Sequence, residues 1–287
     1  AASDVYKRQD PGDNRTMEKK FIGAGLLSGL IAGIFAYVFA RIFIEPEVAK
    51  AIDYEEGRGH AEEMLTGEHG HEHEVFTRSV QENIGAGVGT VVFAVAMGAF
   101  FAVAFTILWT YLGRRYPATD PRWAAAGVGA LGFVTFFGLP IFAYPATPPA
   151  VGNDDTIADR SSAYLTMTVL SLVLMIAAVV FALWLRPRIG GLLGAIAGAV
   201  GYLVAVTVAI ALLPSFDEVP TPVTNDAGQI VYPGFPADVI GDFRVYAIAN
   251  QVILWMVLTV VFALVLGLLS RSRANQGVDE TETQTVA

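Results

Sequence analysis

The sequence predicts an all-α protein, a polytopic membrane bundle of six transmembrane helices arranged as three hairpins with both termini in the cytoplasm. Three observations predict it. Six apolar runs are each long enough to cross a bilayer. Hydrophobic residues make up 54% of the chain and charged residues only 16%, where soluble domains carry about a quarter charged residues. The basic residues also gather on alternate connections.

The runs are Phe21–Ile44, Ile84–Leu112, Trp123–Phe142, Tyr164–Leu185, Ile189–Leu213 and Ala247–Leu269. A helix rises ~1.5 Å per residue and the hydrocarbon core is ~30 Å thick, so about 20 apolar residues suffice for each crossing. Residues 17–273 form the membrane domain. The polar stretch 1–16 precedes Met17-Glu18-Lys19-Lys20, which resembles a natural start, and is expected to be a non-native or disordered leader. Residues 274–287 are expected to be a disordered cytoplasmic tail. The first run is too long for a cleaved signal peptide and lacks a small-x-small cleavage site. The chain has no cysteine, which excludes disulfides, iron–sulfur ligation and thiolate metal sites.

Orientation follows from the cations. Lys19, Lys20, Arg114, Arg115, Arg122, Arg186, Arg188, Arg271 and Arg273 fall on one set of connections. The longer opposite connections, 45–83, 143–163 and 214–246, carry only Lys50, Arg58, Arg78, Arg160 and Arg244. The positive-inside rule places both termini in the cytoplasm and these three connections outside. The first of them holds eleven acids, so the net charge of −9 is an outside-face charge that attracts cations rather than nucleic acid.

The three hairpins share features. A proline follows each odd span (Pro46, Pro145, Pro214), and an arginine stands at the entry of each even span (Arg78, Arg160, Arg244). The first and fifth spans also align without a gap, Gly25, Gly29 and Gly33 matching Gly190, Gly194 and Gly198. These readings suggest an internal duplication, with the first and fifth spans as parallel counterparts of the kind transporters contain. Small residues four apart let helix backbones approach closely in lipid, so both glycine stripes are expected to be packing surfaces and both spans central.

All four histidines lie in the first outside connection: His60, then His69, His71 and His73 within Glu68-His69-Gly70-His71-Glu72-His73-Glu74. Imidazole and carboxylate suit divalent transition ions. An extended strand puts the last three imidazoles on one side, and a helix puts His69 and His73 on one face. His60, His69, His71, His73, Glu72, Glu55 and Glu56 are therefore the candidate metal ligands; the competing reading is a solvated acidic linker. The donor set does not identify the metal.

Other motifs exclude function classes. Gly127-Val128-Gly129-Ala130-Leu131-Gly132 fits a dinucleotide fingerprint but sits inside an apolar helix, the wrong context. There is no phosphate-binding P-loop. With every histidine in one connection and no cysteine, nucleophilic catalysis lacks its parts, and no enzyme activity or resident cofactor is expected. Polar groups near helix starts, Asn83 and Gln251, together with Arg78, Arg160 and Arg244, are the candidates for a path or gate. The arginines could instead anchor helices at the headgroups, or bind an anion if brought together.

Several phrases are more specific. They are Tyr144-Pro145-Ala146-Thr147-Pro148-Pro149-Ala150-Val151-Gly152 with Asp155-Thr156-Ile157 and Arg160; Ala51-Ile52-Asp53-Tyr54-Glu55-Glu56; Arg78-Ser79-Val80-Gln81-Glu82-Asn83-Ile84-Gly85; and Phe235-Pro236-Ala237-Asp238 with Phe243-Arg244 and Gln251. Together they resemble the CbtA family of cobalt transporter subunits, over about Met17 to Arg273. The resemblance implies a multi-pass cell-membrane protein for Co²⁺ uptake linked to cobalamin supply. It also implies a small one-helix, histidine-rich CbtB-type partner. That family is described with five spans, whereas six are read here. The alternative is a non-transporting scaffold or assembly subunit whose partner forms the ion path.

Overall fold

The computed structural model describes residues 11–67, 85–116 and 118–285. Six helices are long and apolar enough to cross a membrane, by length and composition: Lys19–Thr66, Ala86–Arg115, Pro121–Ala143, Ile157–Ile189, Gly191–Leu212 and Ala237–Ser270. The first is built from α1 (Pro11–Phe39), a π-helical turn at Ala40–Ile44 and α2 (Glu45–Thr66). Then come α3 (Ala86–Arg115), α4 (Pro121–Phe133), a second π turn at Val134–Gly138, and α5 (Pro140–Ala143). The chain ends with α6 (Ile157–Ile189), α7 (Gly191–Leu212), a two-stranded antiparallel ribbon β1 (Val223–Thr224) and β2 (Ile230–Tyr232), and α8 (Ala237–Thr285).

Two features differ from the sequence reading. Pro46 does not end the first helix, and the stretch read as an open connection is helical as far as Thr66. A proline removes one helical hydrogen bond and its ring meets the carbonyl four residues back. Here that carbonyl belongs to Ile42, inside the π turn, where the backbone bond Glu45 N–H to Ala40 O spans five residues and makes room for the ring. The second π turn has the same spacing to Pro140: the carbonyl in question is that of Phe136, and Leu139 N–H reaches Val134 O at 3.0 Å. The other difference is the short ribbon, closed by Asn225, whose side-chain oxygen accepts from the amides of Ala227 and Gln229, and by Gly228 at φ 74°.

The chain divides into two compact units. One comprises Ala1–Tyr37, Asn83–Ala130 and Val252–Ala287. Its helices meet through small residues. A Cβ added at Gly25 would collide with the Gly98 carbonyl, one at Gly29 with the Ala94 carbonyl, and one at Gly33 with the Ala94 side chain and the Val91 backbone. The stripe on α1 thus lies backbone to backbone on α3. Gly129 faces Thr259 in the same way. Buried Phe105 joins Phe21 and Phe262 edge to face, with ring centroids 5.3 Å and 5.0 Å apart. Ser28, fully buried, returns its hydroxyl to Ala24 O at 2.7 Å.

The other unit comprises Val38–Glu82 and Leu131–Gln251. Its spans α6 and α7 form a hairpin turned at Gly190, whose φ of 87° suits glycine. Gly194 and Gly198 rest against the Ala182 and Ala178 carbonyls of α6. Arg188 closes this end, stacking 3.8 Å over the Trp184 ring. At the opposite end of these helices a cap is assembled from α2, the ribbon, and the segments before α6 and α8. Its core is Ala51, Tyr54, Val151, Phe235, Val239 and Ile240. Tyr54 donates to Pro233 O and Arg58 to Thr221 O at 2.8 Å, tying α2 to the segment flanking the ribbon. Gly57 is required by the close approach of the Tyr232 ring.

Candidate functional site

The candidate metal ligands divide. His69, His71, His73 and Glu72, with Arg78 and Asn83 of the candidate path, lie outside the described residues. His60, Glu55 and Glu56 stand exposed on α2. The His60 imidazole is 79% exposed and its Nδ1 lies 3.7 Å from the Glu63 carboxylate. Among the described residues no three histidine or acidic side chains converge as a metal site. The buried carboxylate of the cap, Glu47, is taken by Lys50 at 2.8 Å.

Arg160 and Arg244 both line one cavity of about 700 Å³ within the second unit. Each is placed by a helix start. Arg160 lies in the first turn of α6 and Arg244 in the second turn of α8. The cavity floor is apolar, made by Phe137 of the second π turn, Ile141 and Tyr164, and its upper wall comes from the connections 144–152 and 216–219. The Arg160 guanidinium packs against Gly152, where φ is 135° and no side chain fits, and donates to Asn153 O at 3.0 Å. Its Nε is buried, 3.4 Å from the Glu218 carboxylate, without a hydrogen bond. Arg244 donates from Nε to Ala146 O at 3.2 Å.

Glu218 is the latch of the cavity wall. Its Oε2 accepts from the Asn153 amide at 2.7 Å and from the Thr156 hydroxyl at 2.9 Å. The Asn153 amide first, then Thr156 and the positive charge of Arg160, hold its carboxyl below the usual glutamate range. A folded-state value below the unfolded one gives stabilisation that is complete above the ordinary carboxylate range and is lost as pH falls through the lowered value. The expected outcome is acid loosening of residues 150–156, read as reduced protection of the Asn153 amide in hydrogen exchange after correction for the intrinsic rate. Glu218→Gln should remove that pH dependence; an identical pH profile in the variant would assign the loosening elsewhere.

Below the cavity lies a buried polar node that sequence reasoning missed. Ser171 of α6 donates to Thr135 O in the π turn at 2.8 Å or shares its proton with Tyr202 of α7, whose hydroxyl is also 2.8 Å away. Thr135 returns its own hydroxyl to Leu131 O at 2.6 Å. Met167, Met175 and Val206 pack around the node. In a lipid-embedded interior every polar group needs such a partner, and π turns recur at functional sites. The available signal was Pro140, inside an apolar span where a proline must disturb the helix. Ser171→Ala should remove one partner of the Tyr202 hydroxyl and the donor to Thr135 O, and cost about 1–3 kcal/mol. Ser171→Ala with Tyr202→Phe should cost less than the two single changes summed, in thermal unfolding of detergent-solubilised protein.

Of the remaining candidates, Gln251 is half-buried in α8 beside Asn250, whose buried Oδ1 has no hydrogen-bond partner among the described residues. No curated protein and no solved structure gives a significant match to this sequence. The family model described as "Probable cobalt transporter subunit (CbtA)" matches residues 18–267 of the 287. On that match and six membrane-length helices, the chain is a multi-pass membrane protein that belongs to the CbtA family of probable cobalt transporter subunits.

Proposed function

We propose that this subunit carries Co²⁺ into the cell in support of cobalamin supply, working with a small one-helix, histidine-rich CbtB-type partner. Both termini are cytoplasmic in this reading, and the cap faces outward. The observation that carries the orientation is the charge pattern: nine basic residues on one set of connections against five on the longer opposite set. The cap then lies on the acidic side, where it concentrates cations before they enter the membrane. Glu55, Glu56 and His60 on α2, with Glu72, His69, His71 and His73 in the segment that follows, are the first ligands offered to the ion. Beyond them, Arg78, Asn83 and Gln251 flank the entry, with Arg160 and Arg244, and neutral oxygens rather than buried carboxylates hold the ion in transit. The chain catalyses no reaction.

The test is uptake into vesicles holding the purified chain, with and without a coexpressed one-helix histidine-rich partner, read with an internal Co²⁺-quenched dye. Metal entry above protein-free vesicles is expected. Replacing His69, His71 and His73 together with Ala should slow entry at low external Co²⁺ and matter little at saturating metal. Unchanged entry at low metal would reduce that segment to a linker. A second reading is favoured by one observation: no metal-ligand set converges among the described residues. In it the chain is a scaffold and the partner forms the path, so that the chain alone passes no Co²⁺ and the pair does.

A further inference from the structure

The cavity lined by Arg160 and Arg244 fits neither a bare metal ion nor a structural void. Its volume of about 700 Å³ lies in the range of sites for organic ligands and is more than tenfold the ~30 Å³ share of one water. Phe137, Ile141, Tyr164 and Phe216 give it an apolar wall, to which a hydrated cation has nothing to bind. The charges that line it are unevenly satisfied. Glu218 is consumed by the Asn153 amide, the Thr156 hydroxyl and Arg160. Asp217 is exposed. Arg244 is half-buried and its one hydrogen bond goes to a neutral carbonyl, so among the described residues its charge meets no carboxylate. A partly buried guanidinium that faces a cavity and meets no carboxylate among the described residues can grip a planar oxyanion with two parallel N–H bonds.

We propose that this cavity is a binding site for a small organic acid, whose carboxylate pairs with Arg244 and whose apolar body lies against Phe137, Tyr164 and Phe216. Arg160 supplies the second positive charge at the wall, partly offset by Glu218, whose carboxylate lies 3.4 Å from its Nε. Ser161 and Thr147 add hydroxyl donors along the same lining. The carboxylate chemistry is shared with the phosphate of a lipid headgroup. A soluble acid is the better occupant, because the upper wall is built from the connections 144–152 and 216–219 rather than from lipid-facing helix surface. The site takes its ligand independently of whether the chain itself conducts metal.

The proposal is tested on the full chain in phosphatidylcholine nanodiscs, by calorimetric titration with benzoate, succinate, inorganic phosphate and Co²⁺ in separate arms. Benzoate is expected to bind most tightly, because it supplies both the carboxylate and the apolar body. Arg244→Gln should weaken it at least tenfold, with Arg244→Lys, which keeps the charge and loses the fork, in between. Size-exclusion profiles matching the unaltered protein show that each variant is folded; if Arg244→Gln does not pass, the Arg244→Lys loss decides. No benzoate binding, or equal binding by Arg244→Lys and the unaltered chain, would overturn the site. Benzoate binding that is abolished by a small share of anionic phospholipid in the nanodisc would replace the soluble acid with a lipid phosphate and overturn the choice of ligand. Co²⁺ uptake failing while benzoate binds would sink the transport reading and leave this one standing; the reverse result would do the opposite.

Discussion

Gly98→Leu is expected to abolish the folded state or lower its stability by at least about 3 kcal/mol, the upper end of what overpacking costs. The reason is that nothing soft lies opposite. A Cβ on Gly98 would meet the Gly25 carbonyl and, at 3.0 Å, the Gly29 Cα. A Cβ on Gly25 would meet the Gly98 carbonyl and, at 2.7 Å, the Ala102 side chain. The contact is backbone on backbone from both sides, so no rotamer change relieves it; α1 and α3 must separate. Separation also forfeits the contacts of Gly29 with Ala94 and Val95 and of Gly33 with Val91, and it disturbs the rings of Phe21 and Phe105. In lipid, where no hydrophobic force holds helices together, those van der Waals contacts are the association energy. Gly89→Leu, on the same helix at an exposed position with open space around it, is the control and should leave stability unchanged or slightly raised. Thermal unfolding of both variants in one detergent checks this. Equal melting of the two would show that the α1–α3 contact does not hold the helices.

The glycine stripe also shows how far the sequence could be read. Spans are legible because lipid demands length and apolarity of a continuous segment, a local requirement. The six apolar runs correspond to six helices, and the small-residue periodicity marks a close-packing face on α1 and on α7. Which helix each face meets is not local information. The gapless alignment of Gly25, Gly29 and Gly33 with Gly190, Gly194 and Gly198 invites the same neighbour for both. Yet the α1 stripe lies on α3, the next span, and Gly194 and Gly198 lie on α6, the span before theirs, while Gly190 serves as a turn. The π turns at Ala40–Ile44 and Val134–Gly138 are the stronger internal echo, each ending two residues before its proline, Pro46 or Pro140. They are invisible to hydropathy because a π turn changes hydrogen-bond register without changing composition. The cap was hidden for another reason. Tyr54, Val151 and Phe235 come from three connections nearly two hundred residues apart at the extremes, and only folding makes them one core. Arg160 and Arg244 were legible as a recurring helix-entry feature, and their common cavity was not, since it depends on how α6 and α8 begin.

In the transport reading proposed above, voltage should dominate Co²⁺ entry. A membrane potential of 100 mV, inside negative, is worth ~2.3 kcal/mol per elementary charge, so a divalent ion gains about 4.6 kcal/mol on crossing. At about 1.4 kcal/mol per decade that supports roughly three decades of accumulation with no nucleotide hydrolysis, and this sequence has no phosphate-binding P-loop of its own. In vesicles loaded with K⁺ and treated with valinomycin, a tenfold outward K⁺ gradient sets about −60 mV, and Co²⁺ accumulation should rise roughly hundredfold over the same vesicles with equal K⁺ on both sides. Dissipating the K⁺ gradient should return the metal to near equality. Accumulation that ignores the potential but needs a pH gradient would mean that a counter-moving proton neutralises the ion's charge. The exposed His60 and the imidazoles of His69, His71 and His73 would then be the groups to examine, because histidine alone among ordinary side chains changes charge near neutral pH. Accumulation that needs ATP would mean that an associated subunit drives transport.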